Sequence, residues 1–291
     1  MCRFTFYMGR PIFLSSLVTE PSHSIIRQSF ESNERDEPLN GDGFGVAWYA
    51  RGVDERPAVF RSVTPAWSNR NLIDLARVVS SPCILTHVRA ATQALQVSES
   101  NCHPFRHGRY AFMHNGDIGG FRKIRRRLLA SLPQERFDGI EGSTDSEHLF
   151  AVILDELLET DDLDPIDAMS AAVRSAMRRV LTLVEEEAPG ELCYVNLVLT
   201  DGMGAVACRF TTDLPEHADS LYLNHGMRYI CHDGVCQMVN PEGGEGAVII
   251  SSEPLSDGPG WTAVPPNHLV RVHIDNTVEI QPFDERLEAV V

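Results

Sequence analysis

The sequence predicts an α+β fold, sheets layered with helices, and three observations carry that expectation. Segments rich in β-branched and aromatic residues fill the chain as far as His114, three amphipathic helices follow, and strand-like segments then return. Strands, then helices, then strands is not the steady strand-helix alternation of a doubly wound sheet. The 291 residues suit one large domain or two small ones. With no internal repeat or low-complexity linker in sight, we read residues 1–291 as a single domain. The acidic run 155–164 and the loop 240–246 are the only seams, and both read as surface connections.

Each element has its own signal. Residues 3–8, 44–49, 58–63, 83–88 and 110–114 read as strands bounded by Gly, Pro or Asn. A helix over 121–132 places Phe121, Ile124, Leu128 and Leu129 on one face, and one over 146–158 places Phe150, Ile153, Leu154, Leu157 and Leu158 at helical spacing. The third, 166–187, carries Ile166, Met169, Val173, Met177, Val180 and Val184 as a stripe and is stopped by Pro189-Gly190. Strands resume at 193–200, 205–211, 221–224, 247–251, 269–274 and 278–280.

Composition narrows the function. A hydrophobic content of 43% with 23% charged residues describes an ordinary globular protein. The net charge of −16 argues against nucleic acid or an anionic membrane as principal partner, since both need a basic footprint. No apolar run approaches the roughly 20 residues that span a bilayer, and the start lacks the charged, apolar, small-residue order of a secretory signal. The expected location is therefore the cytoplasm, with the seven cysteines mostly reduced. Cys231 and Cys236 are the exception to watch: they flank the hairpin signal Asp233-Gly234 and would face each other across two strands. We expect them reduced; zinc binding with His225 or His232 lacks a second ligand pair at finger-like spacing.

The chemistry begins at Met1-Cys2. Methionine is normally trimmed before a residue as small as cysteine, which leaves a thiol and a free α-amine on one residue. A thiol with a pKa near ~8.5 then has a base near ~7.7–8.0 beside it. Thr86-His87-Val88-Arg89 ends an apolar strand in an arginine, a fork suited to gripping a carboxylate and equally to a structural ion pair. His114-Asn115-Gly116-Asp117 closes a strand with a glycine-bearing turn, where an Asn amide beside a Gly N–H can form a two-donor oxyanion hole or simply a hairpin. In Gly142-Ser143-Thr144-Asp145-Ser146-Glu147, Thr144 and Glu147 make a capping box, and Asp145 beside it leaves a carboxylate for an ammonium group. Guanidinium, carboxylate, thiol and oxyanion donors, if they converge, describe an α-amino acid whose γ-carbonyl is held for attack: glutamine or another γ-glutamyl amide.

These motifs resemble the class II glutamine amidotransferases of the N-terminal-nucleophile (Ntn) hydrolase superfamily. The matching stretches are MCRF at 1–4, NGDGFGVAWY at 40–49, THVRAAT at 86–92, NCHPF at 101–105, FMHNGDI at 112–118 and GSTDSEHLF at 142–150, in family order. The later ISSEPL at 250–255 and Trp261 resemble the stand-alone branch that contains the amidotransferase-like subunit of a fungal glutathione-degrading complex. A hydrolase removing γ-glutamate from an ergothioneine precursor is a more distant likeness. The resemblance implies a four-layer αββα sandwich of two mainly antiparallel sheets between helical layers, and neither metal nor cofactor. It implies Cys2 as nucleophile with its own amine as base, Asn115 and Gly116 as oxyanion donors, Arg89 for the substrate α-carboxylate and Asp145 for its α-amine. Thr92, His87, His103 and His114 fall at positions that shape the pocket, and the turn at 40–43 packs near the nucleophile.

Departures from the larger synthases bear on biology. Arg3 and Ala90 replace the usual residues after the nucleophile and the arginine, and no phosphosugar-binding or phosphoribosyl-binding signature follows Asp145. Either a separate synthase or peptidase subunit receives the amine, or the reaction is plain hydrolysis. A subunit silent until a partner docks is the competing expectation, favoured by the basic cluster Arg122, Lys123, Arg125, Arg126 and Arg127 in an otherwise acidic chain.

Overall fold

The structure, a computed structural model, describes residues 2–34, 39–90, 97–160, 163–232, 235–240 and 246–283. Strand β1 (Arg3–Phe13) opens the chain and is followed by the short helices α1 (Ser15–Val18) and α2 (Ile25–Gln28). Then come β2 (Phe44–Trp48), β3 (Ala58–Ser62), α3 (Arg70–Val78), β4 (Ser80–Val88), β5 (Phe105–His107) and β6 (Tyr110–Asp117). Helices α4 (Phe121–Ala130), α5 (Gln134–Asp138), α6 (Asp145–Leu157) and α7 (Pro165–Glu187) form the middle. The chain returns to strands with β7 (Tyr194–Thr200), β8 (Ala205–Thr211), β9 (Tyr222–His232), β10 (Val235–Val239), β11 (Ala247–Ser251), β12 (Thr262–Ala263), β13 (His268–Val272) and β14 (Val278–Pro282).

Two sheets result. One runs in the order β10-β9-β11-β1-β4-β2-β3, with β12 also paired to β9, and the other in the order β14-β13-β8-β7-β6-β5. The strand pairs in both are antiparallel. β1 shows why two sheets form layers. Its period-two alternation sends Phe4, Phe6 and Met8 against Ala111, Met113, Val198, Ala207 and Val270 of the second sheet, while Tyr7 faces the other way among Leu14, Leu17, Ile25 and Leu72 under α1, α2 and α3. On the far side, Ile124 and Leu128 of α4, Leu149 and Ile153 of α6, and Val173, Met177 and Val180 of α7 cover Val195, Leu197 and Leu199 of β7. Helix, sheet, sheet, helix is the predicted αββα sandwich. The three predicted helices and the predicted strands are all present, most within a residue or two of their expected bounds.

The differences have local causes. α3 escaped notice because it buries only Leu72 and Ala76, although Asn69 Oδ1 caps it by accepting from Leu72 N at 2.9 Å. β9 runs well past residue 224 because a bulge absorbs Gly226: Ala247 pairs with Met227 and Val248 with His225. The glycine-bearing turn expected at Asn115-Gly116 is not a turn. β6 continues through both to Asp117, in register with Asn196, Val195 and Tyr194 of β7. Cys231 and Cys236 lie directly opposite on β9 and β10, 4.0 Å apart between Cα atoms, and form a disulfide rather than the reduced pair expected. The Asp233-Gly234 turn between them lies outside the described residues, as does most of the predicted 240–246 seam.

Candidate active site

Antiparallel pairing sets the site. Arg3 opposes Val88, so Cys2 stands beside the residues that follow β4, and its thiol Sγ donates to Ala90 O at 3.7 Å. Cys2 is half-buried. Burial pushes its thiol up, against the lowering pull of the Ala90 carbonyl contact and the charges of Arg89 and Arg3. A resting thiol of this kind needs a base before it attacks anything.

Arg89 is buried, and its backbone is clamped by the glycine-rich turn before β2: Arg89 N donates to Gly43 O at 2.8 Å and Asp42 N to Arg89 O at 3.0 Å. Its Nη1 is buried without a partner among the described residues. A guanidinium nitrogen left so carries a desolvation penalty that an anionic ligand removes. The ion-pair alternative for Arg89 finds no carboxylate among the described residues.

The three histidines bind the two sheets together behind the arginine. His87 Nε2 donates to His114 O at 3.2 Å, crossing from β4 to β6. The His87 and His103 rings stack at 4.2 Å, and Gly45 makes room for the His103 loop, since a Cβ there would sit 2.0 Å from His103 O. Burial holds His87 down to about 3, and holds His103 well below the usual histidine range with help from the neighbouring His87, His114 and Arg89. These imidazoles are neutral at pH 7. His87 Nδ1 and both ring nitrogens of His103 are buried without a partner among the described residues.

On β6, His114 Nδ1 meets Ser146 Oγ at 2.8 Å, which ties the strand to the start of α6. Asn115 is buried, and its amide oxygen has no partner among the described residues. Gly116 must be glycine: its φ is +150° and a Cβ would lie 1.8 Å from Tyr194 O. Asp145, the first residue of α6, is half-exposed; its Oδ2 accepts from Ile118 N at 2.9 Å, and its Oδ1 accepts from Ser146 N at 2.8 Å and Ser146 Oγ at 3.3 Å. Oδ2 keeps a lone pair for a further donor. Thr144 caps α6 as expected, accepting from Glu147 N at 3.2 Å, but Glu147 reaches further back than a capping box requires, to Glu141 N at 2.9 Å and Gly142 N at 2.6 Å.

The contacts thus run from Cys2 to Ala90, along β4 to His87, across to His114 and through Ser146 to Asp145. Asn101 adds a strut: its Oδ1 accepts from Ser143 N at 2.8 Å, joining the loop that carries His103 to the one that carries Asp145. Thr92 lies outside the described residues. Reading the sequence missed Asn101 as a strut, and missed that Arg3 pairs with Glu253 at 2.7 Å. A charged residue inside the apolar first strand was the available sign that a buried partner had to exist. Among the described residues, Glu20, Cys231 and Cys236 bring possible ligand atoms within 4.8 Å of one another. Their two sulfurs are bonded to each other and so are not thiolate ligands. Also among the described residues, no helix is long and apolar enough to cross a membrane.

Comparison with known proteins bears on the family and the fold. Residues 16–287 match the family described as Glutamine amidotransferases class-II. The chain is 39% identical to the "Probable glutamine amidotransferase DUG3" of Saccharomyces cerevisiae, over 97% of this chain and 84% of that one. It is 27% identical to the gamma-glutamyl-hercynylcysteine sulfoxide hydrolase of Mycolicibacterium smegmatis, over 97% of this chain and 100% of that one. Among solved structures, a glutamine aminotransferase class-II domain protein from Silicibacter pomeroyi superposes with a TM-score of 0.65 at 27% identity, covering 97% of this chain and 99% of that one. The glutamine phosphoribosylpyrophosphate amidotransferase of Bacillus subtilis shares the fold with a TM-score of 0.59 at 14% identity, over 98% of this chain and 50% of that one.

Proposed function

This chain belongs to the class II glutamine amidotransferases, and from that premise we propose that it releases glutamate from a γ-glutamyl amide through a thioester on Cys2. It is an enzyme of the Ntn-hydrolase type acting on γ-glutamyl amide bonds. The observation that carries the residue assignment is the meeting of Cys2 with Arg89 at the adjoining ends of β1 and β4, where the buried Nη1 of Arg89 has no partner among the described residues.

In this reading Met1 is removed and the exposed α-amine takes the Cys2 proton. The thiolate attacks the γ-carbonyl carbon, and the oxyanion is received by the Asn115 amide and the Gly116 N–H. The C–N bond breaks as the ammonium group of Cys2 passes its proton to the leaving nitrogen. Water then cleaves the thioester, releasing glutamate and regenerating the thiol. Arg89 holds the α-carboxylate and Asp145 the α-amine, while His87, His103, His114 and Thr92 shape the pocket. No step calls on a metal or cofactor. We take the whole chain as one amidotransferase domain working in the cytoplasm; its five free thiols accord with that location and the Cys231–Cys236 disulfide runs against it.

The leaving group is the finer question. The likeness to a hydrolase named for a γ-glutamyl-cysteine derivative extends over that protein's whole length, which favours an amine larger than ammonia, as in glutathione. A partner subunit that consumes the amine gains less support from α4 than its sequence suggested. Lys123 pairs with Glu191 at 3.0 Å and Arg127 with Glu186 and Glu187 at 2.8 and 2.5 Å, so part of the basic strip is spent within the chain. The test is glutamate release by the Met1-trimmed chain from glutamine and from glutathione, with Cys2→Ala as blank. Release from either, absent in the blank, supports the reading. Retained release in the blank overturns the role of Cys2, and silence on both with ligand binding intact points to a partner-dependent subunit.

A further inference from the structure

We propose that Glu253 is a positioning residue for the nucleophile, acting through Arg3 on the backbone carbonyl of Cys2. The inference rests on Cys2 being the nucleophile and adds a group that does not touch the substrate.

The N-terminal residue of a trimmed chain has no preceding peptide to fix it. The first ladder pair of β1 with β4 is Arg3 with Val88, one residue beyond Cys2, so the sheet alone leaves the nucleophile unanchored. A second anchor comes from the other side of β1. β11 pairs with β1 as far as Thr5 with Ser251. Beyond that pair Ser252 N donates to Phe4 O at 3.0 Å and Phe4 N to Ser252 Oγ at 3.1 Å. This carries Glu253 alongside Arg3.

There the carboxylate is fully enclosed and takes four hydrogen bonds. Oε1 accepts from Arg3 Nε at 2.7 Å and Ser32 Oγ at 2.6 Å, and Oε2 from Asn33 N at 2.8 Å and meets His23 Nε2 at 2.7 Å. Burial opposes its charge, but the bonds from His23, Ser32, Asn33 and Arg3 outweigh that and hold it down to about 2. It is ionised at any working pH. Arg3 is thereby fixed in one rotamer, and its Nη1 donates to Cys2 O at 2.9 Å while Nη2 donates to Ser32 Oγ at 2.8 Å. Fixing the Cys2 carbonyl fixes the plane of the Cys2–Arg3 peptide and the position of the Cys2 Cα that lies in it. The thiol and the α-amine hang from that Cα, so one carbonyl contact places nucleophile and base together, and the Ala90 contact of the thiol restrains the remaining rotation.

The arrangement also explains why a charged residue follows Cys2. A neutral side chain at position 3 offers no donor that spans both the Cys2 carbonyl and a buried carboxylate, and a lysine offers a point charge where a planar fork is needed.

The test is steady-state kinetics of glutamate release by Glu253→Gln, with glutamine affinity measured in the Cys2→Ala background. Gln is isosteric but uncharged, and it leaves Arg89 and Asp145 untouched. We expect kcat to fall about 10²-fold, the scale of a misplaced reacting group, with KM and glutamine affinity within about twofold of the parent. A kcat within about threefold of the parent overturns the proposal, as does a fall in affinity matching the fall in kcat, which would mark a merely structural role. Should Glu253→Gln not fold, as judged by its thermal transition, Arg3→Lys carries the same expectation and the same overturning results. Failure of the underlying reading is distinguishable: Cys2→Ala would then keep its turnover, whereas failure of this inference alone leaves Cys2→Ala inactive and Glu253→Gln normal.

Discussion

The two sides of the Cys2 site are built on opposite rules. On the β11 side, Glu253, Arg3, Ser32 and the Asn33 amide satisfy one another, with four hydrogen bonds on a single enclosed carboxylate. On the β4–β6 side, Arg89 Nη1, His87 Nδ1, both nitrogens of His103 and Asn115 Oδ1 are equally buried and have no partner among the described residues. Buried polar groups are ordinarily paired, and each orphan costs on the order of 1–3 kcal/mol. The difference separates scaffold from receptor: matched polar groups hold the backbone, and open ones await the polar ends of a ligand.

Substitutions should divide along that line. The largest effect is expected at the nucleophile between the two sides, where Cys2→Ser should cost about 10⁴-fold or more in kcat, since serine is far harder to deprotonate. On the open side, Asn115→Ala should lower kcat by roughly 10²–10³-fold, as for a lost oxyanion donor, with little change in KM. Arg89→Ala should instead raise KM by about 10–100-fold, because it removes a ground-state grip on the α-carboxylate. Equal effects of these two on both constants would contradict the division of roles.

Stability against pH sharpens the same contrast: both sides lose stability on acidification, but in different pH windows. Histidines held neutral take up fewer protons folded than unfolded, so His87, held to about 3, makes stability fall as pH drops below about 6.5. Glu253, held to about 2, contributes stability that is full above its unfolded value of about 4.3 and is lost as pH falls toward 2. Thermal transitions measured from pH 7 to pH 3 should therefore show an upper limb that His103→Phe flattens and a lower limb that Glu253→Gln flattens. The smallest effect belongs to the surface: Lys123→Ala, which breaks an exposed pair with Glu191, should change stability by less than about 1 kcal/mol and leave turnover unchanged.

How much of this was readable in the chain depends on the range of the signal. The long helices and most strands were legible because their signals are local: the stripe from Ile166 to Val184 states a burial face within one helix, and the aromatic run at residues 3–8, closed by Gly9, marks a strand. The motif residues were legible because each sits at a strand end or helix start that its own neighbours define. Arg3 with Glu253 was not, since the pair is formed by two strands that meet only after folding, 250 positions apart. Asn115-Gly116 misled for a related reason. An Asn-Gly pair is a turn by local preference, and only the close approach of Tyr194 O shows that the glycine is there to let β7 in. The Cys231–Cys236 disulfide follows from strand register, which the sequence did suggest, against the reduced state that the expected compartment favoured.

The central claim is that the thiol of Cys2 carries the glutamyl group, and the most direct measurement is acid-quenched mass spectrometry of the Met1-trimmed chain mixed with a saturating γ-glutamyl substrate. The account predicts one glutamyl group on the peptide that begins at Cys2, appearing within a turnover and absent in Cys2→Ala. Turnover with no adduct on that peptide, or an adduct that persists in Cys2→Ala, would contradict it.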